Sequence, residues 1–283
     1  SGALALPPYR PSAPQAPSAT MRVATVGAIM CIVSERTIVS ETLGERQLSG
    51  DVVDPLPPGL YPARVPLDGR YARVEPLHPI DHAQELWDAS HDAPTDVTDR
   101  IWDYLPYGPF PSFDAFRAWL RTCSASADPT FFAIRDGRTG KAAGMASYLN
   151  IRPSDGVIEI GHIWLAPSLQ RSREATEALY LMIRHAIDDL GYRRVEWKCN
   201  ALNEPSRRAA ARLGFAYEGT FYRHVIVKGR NRDTAWFSIL AEEWPPIRAN
   251  FEAWLAPENF DADGRQIQSL GEMNRALREG HPR

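Results

Sequence analysis

Cysteine, lysine and long apolar runs are all scarce in this chain. Its three cysteines (Cys31, Cys123, Cys199) are scattered through 283 residues, so they build neither a disulfide framework nor a metal cluster. They fit a reducing, cytoplasmic setting, and no metal is expected. Lysine stands only at 141, 198 and 228, so arginine carries nearly all the positive charge. With 32 basic and 35 acidic residues the net charge is −3, which gives no general pull toward nucleic acid or a membrane surface. No segment approaches the ~20 apolar residues of a membrane span. A shorter apolar run, Val23 to Val33, follows Met21-Arg22 as a signal core would. Twenty residues precede Met21 and no clean small-residue cleavage pattern follows the run, so a strand or a poorly ordered tail is expected. Internal repeats are absent.

What remains is ordinary globular composition, 44% apolar and 24% charged, in a length that fits one large domain or two small ones. Residues 1 to 20 are rich in Pro, Ala and Ser and are expected to be disordered. Residues 21 to 49 have the pattern of a hairpin (Val23–Val33, Thr37–Val39). Asp54-Pro-Leu-Pro-Pro-Gly59 and Pro62 read as a stiff linker, so 1–64 is taken as an N-terminal extension. The folded domain is expected over 65–258, followed by a polar tail at 259–283.

Within the domain, Tyr71 to Pro76 alternates as a strand does, and Ile80 to His91 has helical spacing. Asp92 to Pro111 reads as a Pro/Asp-rich loop. Ser112 is a good cap for a helix whose stripe is Phe113, Phe116, Trp119 and Leu120. Thr130–Ile134 and Ala142–Ile151 form a hairpin around Asp136-Gly137. Val157 to Leu165 is a strand, and Ala175, Leu179, Met182, Ile183, Ala186 and Leu190 recur at helical spacing after it. Gly191 stands where a C-cap glycine belongs. Arg194–Cys199 is a strand. Asn203 caps a helix with Pro205 in its first turn, and Gly214 ends it. Phe215–Phe221 and Thr234–Leu240 are closing strands, and Glu242 to Leu255 is a helix.

The most telling segment is Gln170-Arg-Ser-Arg-Glu-Ala175, a polar turn between the strand ending at Leu165 and the long helix. A helix N-terminus offers free backbone N–H groups to a phosphate, and this turn also carries Arg171 and Arg173.

The order of elements, with Gln170-Arg-Ser-Arg-Glu-Ala-Thr176, Asn203-Glu-Pro-Ser206 and Leu213-Gly-Phe-Ala-Tyr-Glu-Gly219, resembles the GCN5-related N-acetyltransferase (GNAT) superfamily and its RimJ/RimL-like branch. The resemblance covers about Val65 to Leu240. It implies an α/β (α+β) fold: a mixed, mostly antiparallel sheet flanked by helices, with central strands splayed at the acyl-CoA site. It also implies transfer of acetyl from acetyl-CoA to a primary amine, without metal. Relatives are commonly dimers, so a homodimer is an expectation. The family's central glycine in the turn is Arg173 here, which limits how closely the backbone approaches a pyrophosphate while offering a guanidinium to it.

By the same resemblance, the backbone of Ile163, Trp164 and Leu165 aligns the pantetheine arm as an added strand. The turn Gln170, Arg171, Ser172, Arg173, Glu174, Ala175 and Thr176 holds the pyrophosphate. Asn203 and Ser206 approach the carrier, and Arg207, with Arg208 and Arg212, either binds the 3′-phosphate or forms a solvated helix edge. Many relatives place a Tyr where Ala210 stands. Ser206 is therefore the candidate proton donor to the thiolate, unless it only caps its helix. Glu159 is the candidate base, because a carboxylate beside an apolar channel has a raised pKa. Its alternative is an ordinary salt-bridged strand residue. Strand alternation puts His162 on the face opposite Glu159 unless a bulge intervenes.

Pro79 to Ala115 contains eight acids (Asp81, Glu85, Asp88, Asp92, Asp96, Asp99, Asp103, Asp114) against Arg100 alone. That field favours a cationic acceptor such as a protein N-terminus, a polyamine or an amine-bearing metabolite or antibiotic, with Trp87, Trp102, Tyr104 and Tyr107 as a possible floor. Two other readings stay open: succinyl transfer, with an Arg taking the extra carboxylate, and a non-catalytic CoA-binding module.

Overall fold

Eight strands build one sheet in the order β1-β2-β3-β4-β5-β6-β8-β7 in a computed structural model that describes residues 50, 52–91 and 95–280. The expectations for 1–49 lie outside the described residues. The strands are β1 (Leu67–Asp68), β2 (Ala72–Pro76), β3 (Thr130–Asp136), β4 (Ala142–Arg152), β5 (Val157–Leu165), β6 (Arg194–Asn200), β7 (Ala216–Val227) and β8 (Arg230–Leu240). Every neighbouring pair is antiparallel except β5 and β6. The mixed, mostly antiparallel fold therefore stands as the sequence implied.

Alternation along the strands sends apolar side chains to both faces. One face carries α1 (Pro79–His91), α2 (Thr95–Trp102) and α3 (Phe113–Ala125) over a core of Leu86, Trp102, Phe116, Leu120, Phe131, Met145 and Trp164. The other carries α4 (Arg173–Arg184), α5 (Glu204–Arg212), α6 (Trp244–Leu255) and α7 (Leu270–Gly280) over Ile158, Ile160, Val195, Trp197, Phe215 and Phe251. Ser112 caps α3 by accepting from the Ala115 N–H at 3.2 Å. The long helix ends in one π turn, His185–Asp189, before Gly191 at φ +69°. A Cβ on Gly191 would meet Pro58 Cγ at 2.8 Å, so the Pro-rich segment packs on the domain here. The Tyr192 hydroxyl donates to the Leu60 carbonyl at 2.8 Å at the same place.

Three expectations change. The loop at Asp92–Pro111 contains α2, which seats Trp102, fully buried, in the core. Strands β7 and β8 run longer than read, because Lys228 and Gly229, both left-handed, close a tight hairpin whose charged arms masked its strand pattern. The stretch after Glu258 is more than a polar tail. Its α7 buries Leu270 and Asn274, and the Asn274 amide donates to the Arg212 carbonyl at 2.9 Å. Few apolar residues are needed for that, which is why hydropathy did not reveal it.

Helix α4 is fixed to β1 and β2 by one carboxylate. Glu177 accepts from the backbone N–H groups of Arg70, Tyr71 and Ala72 at 2.9, 2.5 and 2.7 Å. A Cβ on Gly69 would lie 2.4 Å from Glu177 Oε2, so this approach requires glycine. None of the described helices is long and apolar enough to cross a membrane.

Candidate active site

Strands β5 and β6 pair only over Val157–Glu159 and Arg194–Glu196. Beyond that point β5 stays with β4 and β6 stays with β8, so a gap opens between Gly161–Leu165 and Lys198–Asn200. The splay implied for the acyl carrier lies here, and it leaves the β5 backbone at Ile163, Trp164 and Leu165 unpaired on one side. The Trp164 side chain itself is buried in the α1–α3 core, so only its backbone faces the gap.

The chain leaves β5 through a tight turn into α4. The Leu169 and Gln170 N–H groups donate to the Ala166 carbonyl, and the Gln170 side-chain amide donates to the Leu165 carbonyl at 3.0 Å. Arg171 then adopts a left-handed φ of +58° and is exposed. The Ser172 hydroxyl accepts from Ala175 N–H at 3.0 Å as N-cap, and the Thr176 hydroxyl donates to the Ser172 carbonyl at 3.0 Å. The N–H groups of Arg171, Ser172, Arg173 and Glu174 have no acceptor among the described residues. They form the cluster of donors that a phosphate takes at a helix start.

The glycine replacement has a structural explanation. The Arg173 guanidinium lies over the rings of Tyr71 (4.4 Å) and Phe260 (3.9 Å), so two aromatic faces hold its charge. What this turn presents to an anion is accordingly its backbone N–H groups. Glu174 is buried and faces Arg138 Nε at 3.5 Å. Arg212 is not on an exposed edge with Arg207 and Arg208: it donates to Thr176 Oγ1 at 3.1 Å and stacks 4.7 Å from the Trp254 ring. Arg208 and Arg207 face Glu204 at 3.2 and 3.6 Å.

On α5, Asn203 Oδ1 accepts from the Ser206 N–H at 3.1 Å, which confirms the cap. The Ser206 hydroxyl accepts from Trp197 Nε1 at 3.0 Å and has the Cys199 thiol as its other hydrogen-bonding neighbour. Burial raises the Cys199 and Cys123 thiols, Cys123 to about 12, so neither is a ready nucleophile.

Below the gap, on the α1–α3 side, a cleft of about 670 Å³ is lined by Asn150, Glu159, Glu196, Lys198, Arg232 and Trp236 among others. Lys198 Nζ lies 2.8 Å from carboxylate oxygens of both Glu159 and Glu196. The two carboxyls are pushed apart. Burial lifts Glu159 above the usual range, only partly offset by Lys198 and a 2.6 Å hydrogen bond from Asn150. Burial acts on Glu196 too, but hydrogen bonds from Lys198 and Arg194 outweigh it and hold Glu196 low. Of the pair, Glu159 has the higher proton affinity and so the stronger basic character. The Glu-x-Lys alternation on β6 was visible in sequence, but its partner on β5 was not.

His162 joins this side after all. Register slips between Met145 and Ser147, and His162 takes φ +50°, which is the bulge that breaks alternation. Its ring stacks 5.6 Å from Tyr107, whose hydroxyl lies 3.1 Å from Nδ1. Burial, with Arg232 nearby, holds its pKa below the ordinary value, which favours the neutral imidazole.

Among the described residues, none of the acids of that stretch lines the cleft. Glu85 pairs with Arg135, Asp81 with His78 and Asp114 with Arg117. Trp102 and Tyr107 are core or wall rather than an open floor.

A family described as Acetyltransferase (GNAT) domain matches residues 77–216. A GCN5-related N-acetyltransferase structure from Brucella melitensis is 45% identical, with TM-score 0.74, covering 78% of this chain and 97% of that one. A probable GNAT-family acetyltransferase from Chromobacterium violaceum is 36% identical, with TM-score 0.63, covering 69% and 96%. A curated Bacillus subtilis relative, named "Putative ribosomal N-acetyltransferase YdaF", is 31% identical over 105 residues, or 37% of this chain. That match spans 57% of the relative's length. The chain belongs to the GNAT acetyltransferase family, whose co-substrate is acetyl-CoA, and the last likeness agrees with the RimJ/RimL-like branch.

Proposed function

We propose that this chain transfers acetyl from acetyl-CoA to a primary amine by direct attack on the thioester. The observation that carries the reading is the parting of β5 and β6 after three paired residues, with four free N–H groups at the head of α4 where β5 ends. The diphosphate takes those N–H groups, and the pantetheine arm lies along Ile163–Leu165. The thioester then sits in the gap, between Ser206 on the α5 side and Glu159 on the cleft side.

The amine enters from the cleft, and Glu159 accepts a proton from its ammonium. The nitrogen lone pair forms the N–C bond, the C–S bond breaks, the departing thiolate takes the Ser206 proton, and the second proton of the attacking nitrogen restores the Ser206 hydroxyl. Holding both reactants across one gap supplies the orientation, and the two side chains supply the proton transfers.

The reading is tested by free-thiol release from acetyl-CoA across a panel of primary amines, with thermal stabilisation by acetyl-CoA measured in parallel. Stabilisation without thiol release for any amine would leave a carrier-binding module and remove the enzyme. Ser206→Ala is expected to lower kcat at least tenfold, with a smaller change in KM. The hydroxyl's link to Trp197 makes a melting curve the necessary companion measurement.

A further inference from the structure

Three acids and three arginine or lysine side chains line the cleft; two of those cations have a carboxylate beside them and the third does not. Asp128 accepts from the N–H groups of Asn150 and Ile151 at 3.0 and 3.1 Å. Glu159 and Glu196 share Lys198, and Arg152 faces Asp155 and Glu196 at 3.8 and 3.9 Å. Arg194, behind the wall, reaches Glu196 and Glu218 at 2.8 and 2.5 Å. Arg232 has no carboxylate within ion-pair distance and no hydrogen-bond acceptor among the described residues, and its Nε is shut off from solvent without a partner.

Its place in the sheet is informative. β6 ends at Asn200 opposite Thr234, so Arg232 lies two residues past that end, where β5 and β6 stand apart. Arg232, Thr234 and Trp236 share the cleft-facing side of β8. The charge of Arg232 is felt at both Glu159 and His162, and burial lowers its own pKa.

A half-buried guanidinium without an anion is costly, and its planar fork matches a carboxylate in bidentate fashion. The three carboxylates around the cleft disfavour a dianionic phosphate there. A single negative charge fits better. Resting on the transferase reading above, we propose that Arg232 determines specificity by binding a carboxylate that one of the two reactants carries into the cleft. The carboxylate belongs either to an acceptor that bears both an amine and an acid, or to the far end of a dicarboxylic acyl group.

The test uses the full chain, Arg232→Gln and Arg232→Lys, with thiol release as the readout. One arm compares L-alanine with L-alaninamide and β-alanine with its amide as acceptors. The other compares succinyl-CoA with acetyl-CoA, both in turnover and in the rise of Tm each produces. Wild type should prefer the carboxylate-bearing member in one arm. Arg232→Gln should reduce that kcat/KM ratio roughly tenfold or more, through KM, and Arg232→Lys should fall between. The arm that responds names the source. No preference in either arm, or an equal loss for both members of each pair, overturns the inference while leaving the transferase standing. If no pair releases thiol and neither carrier raises Tm, the transferase reading falls first and takes this one with it.

Discussion

Glu159→Gln should lower kcat by roughly 10²-fold or more, with little change in KM for acetyl-CoA. Glutamine keeps the shape and can still accept from Asn150, and Lys198 retains Glu196, so the cleft stays assembled. What is lost is the capacity to take a proton. The wild-type pH profile should show the same group. The carboxylate works only when ionised, so kcat/KM falls as pH drops through its pKa. Burial sets that pKa above the usual carboxylate range, so the fall begins at a higher pH than for an exposed glutamate. In Glu159→Gln that limb should vanish. An unchanged rate would remove Glu159 from the mechanism and transfer the role to His162, which the bulge places on the same face.

Glu177→Ala should destabilise the fold by roughly 3–5 kcal/mol, the second large effect. Its carboxylate satisfies three backbone donors, one of them buried and two half-buried, and each loses its acceptor at once. Water can enter only partly, because Gly69 and Ala72 crowd the carboxylate. A denaturant midpoint that falls at constant m would report the loss. Since Glu177 faces away from the gap, its effect should be on stability ahead of rate. A shift below about 1 kcal/mol would show that the hairpin relaxes freely onto solvent.

The parts legible in sequence were those governed by neighbours in the chain. Ser112, Ser172 and Asn203 cap helices through side chains three residues from their targets, and the α4 stripe follows from one period. The turn at Gln170–Thr176 was legible for the same reason. Long-range pairing hid the rest. His162 changes face because of a slip against β4, and Arg173 is held by Phe260, far along the chain. The acids of α1 looked like a field until Arg135, on β3, claimed Glu85. Arg232 looked like one arginine among many. Its isolation appears only once the partners of every other cleft charge are known.

The gap between β5 and β6 has a consequence for cohesion. A sheet that parts in its middle has two interior borders with unmet backbone groups, in addition to its outer ones. A guest molecule laid along such a border acts as a missing plank and joins the two halves of the sheet. By mass action, saturation a hundredfold above Kd adds about 2.7 kcal/mol to the folded state. Substrate supply and lifetime of the native protein would then rise and fall together.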